Sequence, residues 1–420
     1  MNRRILLISA AVVIGLTVMS STSLVKRARG QSILIGAERV PNIAVDKNNF
    51  LYLTMAVATL PSSAHTPGSQ IFFTMSTDGG AQWNNEPLTR NLTNTAINGI
   101  GALNPRLAIT QTGTTRAYLG YDDDTNSFRQ AYFIRSKKNA KFQRPILLSE
   151  PGEGGFSPQV AVDSKGIVYA VWQVSGSGGQ QVALAASTDF GVTFSPRVIL
   201  SGSSTTAESP AIATDKNDTI HVAWQDSSTG TAATMYSNST DGGSTFATPV
   251  QLSGVGNATT PQVGLDKSGG LNVVWVQQQE DGSTEVAISR STDGGSTFTP
   301  AATVTNFRNG NVNQLAIASS GSTTYVAFGA TSQVFLIQAP SSSLSFQSPV
   351  KVSNANPSKG EARSPSIVAD RNGKLHIVWI DTSIEGDEEG LLLYSNTTNG
   401  RNFSRPVEIL AVLQAPLSVS

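Results

Sequence analysis

SPQVAVDSKGIVYAVWQ, residues 157–173, is one of seven versions of a single phrase. The others are VPNIAVDKNNFLYLTMA (40–56), NPRLAITQTGTTRAYLGY (104–121), SPAIATDKNDTIHVAWQ (209–225), TPQVGLDKSGGLNVVWV (260–276), NQLAIASSGSTTYVAFG (313–329) and SPSIVADRNGKLHIVWI (364–380). Aligned on the proline or its equivalent, they fall at 41, 105, 158, 210, 261, 313 and 365, with steps of 64, 53, 52, 51, 52 and 52. A fixed period of this size marks a repeat architecture. Within each phrase a short apolar strand meets an Asp-rich turn, and a β-branched strand follows, ending at Trp172, Trp224, Trp275 or Trp379 in four copies.

About a dozen residues later comes a third strand, such as QVALAAS, then a polar turn, then a fourth, such as SPRVILS. Four antiparallel strands per unit, seven times over and without helical periodicity, predict an all-β, seven-bladed β-propeller. One such sheet cannot bury both faces, whereas a closed ring of seven can. The tryptophans are expected between blades. The expected units lie near 37–92, 102–150, 155–201, 207–253, 258–305, 310–353 and 362–411, within a propeller spanning 31–412, followed by a tail at 413–420.

Composition agrees with this pattern. The 420 residues carry 29 Lys plus Arg and 29 Asp plus Glu, a formal charge of zero, which argues against a nucleic-acid partner. No cysteine is present, so disulfides, thiolate metal sites and cysteine nucleophiles are excluded. Residues 1–30 pair the basic MNRR with a 15-residue apolar run, ILLISAAVVIGLTVM. That run is short for a membrane span and reads as a signal peptide directing the chain to a secreted, periplasmic or cell-surface location. An uncleaved anchor is the alternative.

The polar turn before the fourth strand is itself repeated: STDGGAQW (76–83), STDFGVTF (187–194), STDGGSTF (239–246) and STDGGSTF (291–298). This S-x-D-x-G-x-T-F/W phrase resembles the Asp-box of the sialidase-like, or BNR-repeat, propellers, with degenerate copies near 135–142, 341–346 and 396–403. Asp78, Asp189, Asp241 and Asp293 are of the type that bonds its own turn's amides. The resemblance places these turns opposite the substrate-binding face, so they are structural.

Chemistry is then expected on the other face, on loops held by a rigid scaffold. The first unit is expanded there: Pro41 to Asp78 is 37 residues against 31 from Pro158 to Asp189, and Asp78 to Pro105 is 27 against 21 from Asp189 to Pro210. The residue two before each proline should rim the channel: Arg39, Leu103, Phe156, Glu208, Thr259, Asn311 and Arg363. Ring closure would set Arg39 beside Arg363 as a carboxylate clamp. ERVPNIAVD resembles the Arg-Ile-Pro segment whose arginine grips the sialic acid carboxylate in sialidases, and AESPAIA resembles the segment bearing the glutamate that activates their nucleophilic tyrosine. The rim reading therefore assigns ligand-binding roles to Arg39, Arg363, Phe156 and Asn311, and the resemblance adds a second hint for Arg39 and implies a catalytic role for Glu208.

The chain departs from the family pattern elsewhere. The loop ATLPSSAHTPGSQ (58–70) lacks the acid/base aspartate, no second or third triad arginine is evident, EARSPSIV lacks the tyrosine, and sialidases have six blades. Losing acid and nucleophile together removes glycoside hydrolysis by the usual route. The expectation is a monomer that binds a glycan or other carboxylate-bearing ligand, with no cofactor or metal. A divergent exo-glycosidase and a platform for a cell-surface protein are the alternatives. The acidic loops YDDDTNS (Asp122, Asp123, Asp124) and DTSIEGDEEG (Asp381, Glu385, Asp387, Glu388, Glu389) read as solvated turns, with a relocated acid or a calcium site as alternatives. His221 and His376 share one strand position and read as packing residues, whereas His65 lies in the expanded first loop.

Overall fold

The computed structural model describes residues 33–34, 40–59, 68–83, 101–124, 128–137, 141–176, 178–204, 206–305, 311–384 and 390–409. The expected leader, Arg39, His65, Glu385, Asp387, Glu388 and Glu389 lie outside them. Seven antiparallel sheets follow one another along the chain, as the repeat predicts. The third blade shows the pattern in full: Gly154–Val162, Val168–Gly176, Gly179–Ser187 and Val198–Ile199, hydrogen-bonded in that order. In the first blade, Asn42–Val45, Leu51–Thr59 and Gly68–Ser76 form the sheet, and Ile33–Leu34 pairs with the end of its second strand at Thr59 and Ala58.

Two sequence devices shape each blade. The first sits in the turn between strands one and two. In five blades an aspartate there turns its Oδ1 onto the amides two and four residues ahead: Asp46, Asp163, Asp215, Asp266 and Asp370. Such an Asx turn fixes the hairpin without any distant contact. The Oδ2 of the same residue faces a donor six residues on, in strand two: Tyr52 (3.2 Å), Tyr169 (3.1 Å), His221 (3.5 Å) or His376 (3.5 Å). In the fifth blade that position is Asn272, and Arg290 reaches in from strand three to both Asp266 (2.6 Å) and Asn272 (3.1 Å).

The second device is the Asp-box. Asp78, Asp189, Asp241 and Asp293 accept the amide four residues ahead at 2.9–3.0 Å, and the last three also accept the hydroxyl of Thr193, Thr245 or Thr297. These bonds hold all four carboxyls below their ordinary value, Asp241 and Asp293 at about 2. The turn's aromatic does not stay under its own blade. It packs onto the preceding one: Phe142 on Phe73, Phe194 on Phe133, Phe298 on Tyr236 and Trp83 on Tyr394.

The core therefore lies between blades. Trp172, Trp224, Trp275 and Trp379 are almost fully buried, each against the blade before it. A buried aromatic of this size contributes about 4–6 kcal/mol of transfer free energy. The ring closes where Ile43, Leu53 and Phe72 of the first blade share one cluster with Val378, Ile380 and Leu392 of the seventh. Across that seam the Tyr394 hydroxyl lies 2.8 Å from the Gly79 carbonyl, and the Ile43 amide donates to Ser366 Oγ. His221 and His376 are buried, stacked on Tyr236 and Tyr394, with each Nδ1 2.7 Å from the tyrosine hydroxyl.

Candidate functional site at the channel mouth

The first strands line the axis, and in the six blades after the first each is broken by a bulge one residue before the proline or its equivalent. Asn104, Ser157, Ser209, Thr260, Gln314 and Ser364 all have φ between 47° and 53°. A left-handed non-glycine residue costs about 1–3 kcal/mol, and such outliers gather at functional sites. Hydrogen bonds between blades offset part of this. Ser157 N donates to Asp122 Oδ2 (2.9 Å), and Ser364 N donates to Gln314 Oε1 (2.6 Å).

The residue before each bulge is the rim position. The ladders pair Leu103 with Asp122, Phe156 with Gln173, Glu208 with Gln225, Thr259 with Val276 and Arg363 with Ile380. In the sixth blade the bulge falls at Gln314, so the proline equivalent is Leu315 and the rim residue is Asn313, paired with Gly329. This corrects the sequence alignment, which set the proline equivalent at 313 and the rim residue at Asn311. Asn311 instead bridges Thr284 of the fifth blade.

Arg363 is the distinctive member of the ring. Its side chain is 20% exposed, and among the described residues its one bond is a long contact from Nη1 to Glu361 Oε1 at 3.5 Å. Among them, too, its buried Nε and Nη2 find no acceptor. A buried unmet donor costs about 1–3 kcal/mol, more when charged. Glu208 takes the Gln225 amide at 2.7 Å, while Phe156 and Thr259 are half-buried nearby on the ring. All eight tyrosines are described, and none bonds Glu208. Tyr52 and Tyr169 bond the strand one–two turn aspartates, Tyr236 and Tyr394 pair with His221 and His376 of strand two, and Tyr121 stacks on Tyr132. The Tyr–Glu couple that covalent catalysis would use is not formed.

Two of the three aspartates in the acidic loop of the second blade share one arginine. Arg129 bonds Asp122 and reaches Asp124 at 3.1 Å, and Asp122 also accepts Asn104 Nδ2 at 2.8 Å. Asp381 caps Ser383 through both amide and hydroxyl. Among the described residues no group of three His, Asp or Glu is placed to hold a metal ion.

Sequence reasoning passed over Arg106, on the innermost strand of the second blade. Among the described residues its one hydrogen bond is from Nη1 to Pro105 O at 3.2 Å. Burial pulls its guanidinium down to about 10, partly opposed by Asp122. The signal was available, since the residue after the proline is Asn42, Gln159, Ala211, Gln262 or Ser366 in the other blades that have one, and only here is it charged.

A family model described as a BNR repeat-like domain matches residues 157–377, more than half of the chain. The chain belongs to this family. No curated protein matches it. Among solved structures, a polysaccharide lyase of family PL25, an ulvan lyase bound to a GlcA(1-4)Rha3S saccharide, aligns with TM-score 0.53 at 11% identity, covering 74% of this chain and 85% of that one. A protein of unknown function from Dyadobacter fermentans gives TM-score 0.51 at 12% identity, covering 87% and 97%. A Hadza microbial sialidase gives 0.49 at 14%, covering 78% and 74%. At these identities the two likenesses above TM-score 0.5 show the fold alone, and the seven sheets of this chain make it a seven-bladed propeller.

Proposed function

We propose that this BNR propeller is exported and binds a glycan, or another carboxylate-bearing ligand, at the channel mouth. The observation that carries the proposal is Arg363, whose Nε and Nη2 are buried without acceptors. Two parallel N–H groups of a guanidinium match a carboxylate in bidentate fashion. Arg39, from the blade next to Arg363 in the closed ring, is assigned as a second guanidinium. Phe156 supplies an apolar surface, and Asn313, in the place first assigned to Asn311, supplies an amide. Glu208 has an amide partner and no nucleophile beside it, so it orients the ligand rather than activating an attack. The ulvan lyase of like fold is described with a saccharide bound, which favours a carbohydrate among carboxylate ligands.

The test is calorimetric titration with N-acetylneuraminic acid and glucuronic acid, alongside a fluorogenic sialoside assay. Arg363→Ala and Arg39→Ala should each weaken acid binding at least tenfold, as expected for losing a charge-assisted bond of about 1.5–3 kcal/mol. Arg363→Lys should not restore it, because the ammonium lacks the planar fork. Sialoside turnover abolished by Glu208→Gln would replace this reading with the exo-glycosidase one.

A further inference from the structure

Away from the axis, on the same face, a cleft of about 850 Å³ opens between the fourth and fifth blades. That volume is in the range of small-molecule sites, about 300–1,000 Å³. One wall is the inter-blade segment Gly254–Asn257, and the other is the Gln277–Asp281 loop. Its outer end reaches Thr303 on the fifth blade's last strand. The rim residue Thr259 follows two positions after Asn257, so the cleft leads outward from the mouth.

The walls are fixed before any ligand arrives. Gln277 is buried, accepts Trp275 Nε1 at 3.0 Å and donates to the carbonyls of Val255 and Asn257, each at 3.2 Å. Asn257 receives the Ala232 amide and donates to Gln278 Oε1 at 2.7 Å. Gly256 has φ +93°, and a Cβ there would come within 2.9 Å of the Gln278 carbonyl, so only glycine lets the walls approach this closely. Inside this frame one donor is left over: Gln279 Nε2 is buried without a partner. Buried polar atoms are satisfied in the great majority of cases, and an exception calls for a missing partner.

The side chains also select the partner's chemistry. Gln278, Gln279 and Thr231 offer amides and a hydroxyl, and Glu280 and Asp281 offer carboxylate acceptors. Among the described residues no lysine, arginine or histidine lines the cleft, so they disfavour anions. Among the described residues no aromatic ring lines it either, so they offer nothing for a base to stack on. Hydroxyl groups, each a donor and an acceptor, fit such a surface. We propose that this cleft is a second saccharide site, taking the neutral, hydroxyl-rich sugar units of a chain whose acidic unit sits at Arg363. The inference rests on the carbohydrate reading of the mouth and extends it from a single sugar to an oligosaccharide.

The experiment titrates the full protein with cellohexaose, xylohexaose, maltohexaose and chitohexaose, with hydrogen exchange to locate binding. N-acetylneuraminic acid and glucuronic acid probe the mouth separately. At least one neutral hexasaccharide is expected to bind and protect residues 254–257 and 277–281. Gly254→Trp should weaken it at least tenfold. Gly254 has ordinary φ, and a Cβ on it meets nothing within 4 Å, so the indole fills the cleft without disturbing the fold. Gln279→Ala should cost about fivefold, one hydrogen bond. Arg363→Ala should leave the neutral ligand's affinity within twofold. No neutral binding at millimolar concentration, or binding indifferent to Gly254→Trp and Gln279→Ala, overturns the cleft proposal. Neutral binding without acid binding instead overturns the mouth reading and leaves the cleft standing.

Discussion

Trp83→Ala tests the closure of the ring. The indole belongs to the first blade's Asp-box turn, yet it packs among Ile43, Met55 and Phe72 of its own blade and Ile380, Leu392 and Tyr394 of the seventh. It stands edge-on to Tyr394, with ring centroids 5.5 Å apart, and is 8% exposed. Its Nε1 makes no hydrogen bond among the described residues, so the loss there is one of packing. Truncating a buried tryptophan costs about 3–5 kcal/mol, of which the aromatic pair accounts for about 0.5–1.5. If Trp83 merely decorated its own turn, Asp78 would still hold that turn through Ser76 and Gln82, and the cost would stay within about 0.5 kcal/mol, as for a surface residue. Urea denaturation gives the total, and segment-resolved hydrogen exchange gives its location. The expected result is a loss of about 3–5 kcal/mol, with protection falling at both 42–55 and 375–397. Destabilisation below about 1 kcal/mol, or exchange altered only in the first blade, would refute closure through this contact.

Tyr394→Phe removes the hydroxyl that lies within hydrogen-bond distance of both His376 and Gly79, and should cost about 1–3 kcal/mol by the same denaturation. Gly270→Ala drives a Cβ into the Arg290 guanidinium and within 2.6 Å of Asp266 Oδ2, splitting a buried pair at about 3–5 kcal/mol. The cost should shrink in an Arg290→Ala background, where the guanidinium is gone and only Asp266 Oδ2 remains in the way. Burial holds His221 and His376 below the ordinary value, with Asp215 and Asp370 opposing it. The unfolded chain therefore takes up these protons first, and the stability the neutral histidines supply is lost as pH falls below about 6.5. Midpoints measured at pH 7.5 and 5.5 should show the loss, and His221→Gln/His376→Gln should reduce it. Asp241 and Asp293, lowered from 3.8 to about 2 chiefly by the Thr245 and Thr297 hydroxyls, contribute fully above about 4 and lose that contribution as pH falls toward 2.

The fold was legible wherever one residue type answers one geometric need. Proline follows a left-handed bulge, tryptophan fills a seam, and the Asp-box aspartate ties a turn, so each leaves a mark at the same place in the repeats that carry it. The sixth blade shows the limit of that logic. Leu315 and Phe328 do the work of proline and tryptophan there, the two strongest marks vanish, and the alignment slips by two residues until the bulge at Gln314 resets it. One signal was present and unused: an aspartate six residues before Tyr52, Tyr169, His221 or His376, which recurs because one carboxylate grips both its own turn and the neighbouring strand.

The candidate site was less legible because its identity depends on what is left unpaired. Asp122 looks like a free acid in YDDDTNS and is instead consumed by Arg129, Asn104 and Ser157. Arg363 looks like an ordinary rim charge and keeps two buried N–H groups unmet. Gln279 looks like one of three consecutive glutamines and is the one with an orphaned donor. Which of several similar groups remains unsatisfied is decided by contacts between blades and loops far apart in the chain, such as Ser157 on Asp122 and Asn257 on Gln278. Scaffold residues repeat and can be read by period. The groups that would meet a ligand are those the repeat failed to satisfy, and a period cannot reveal them.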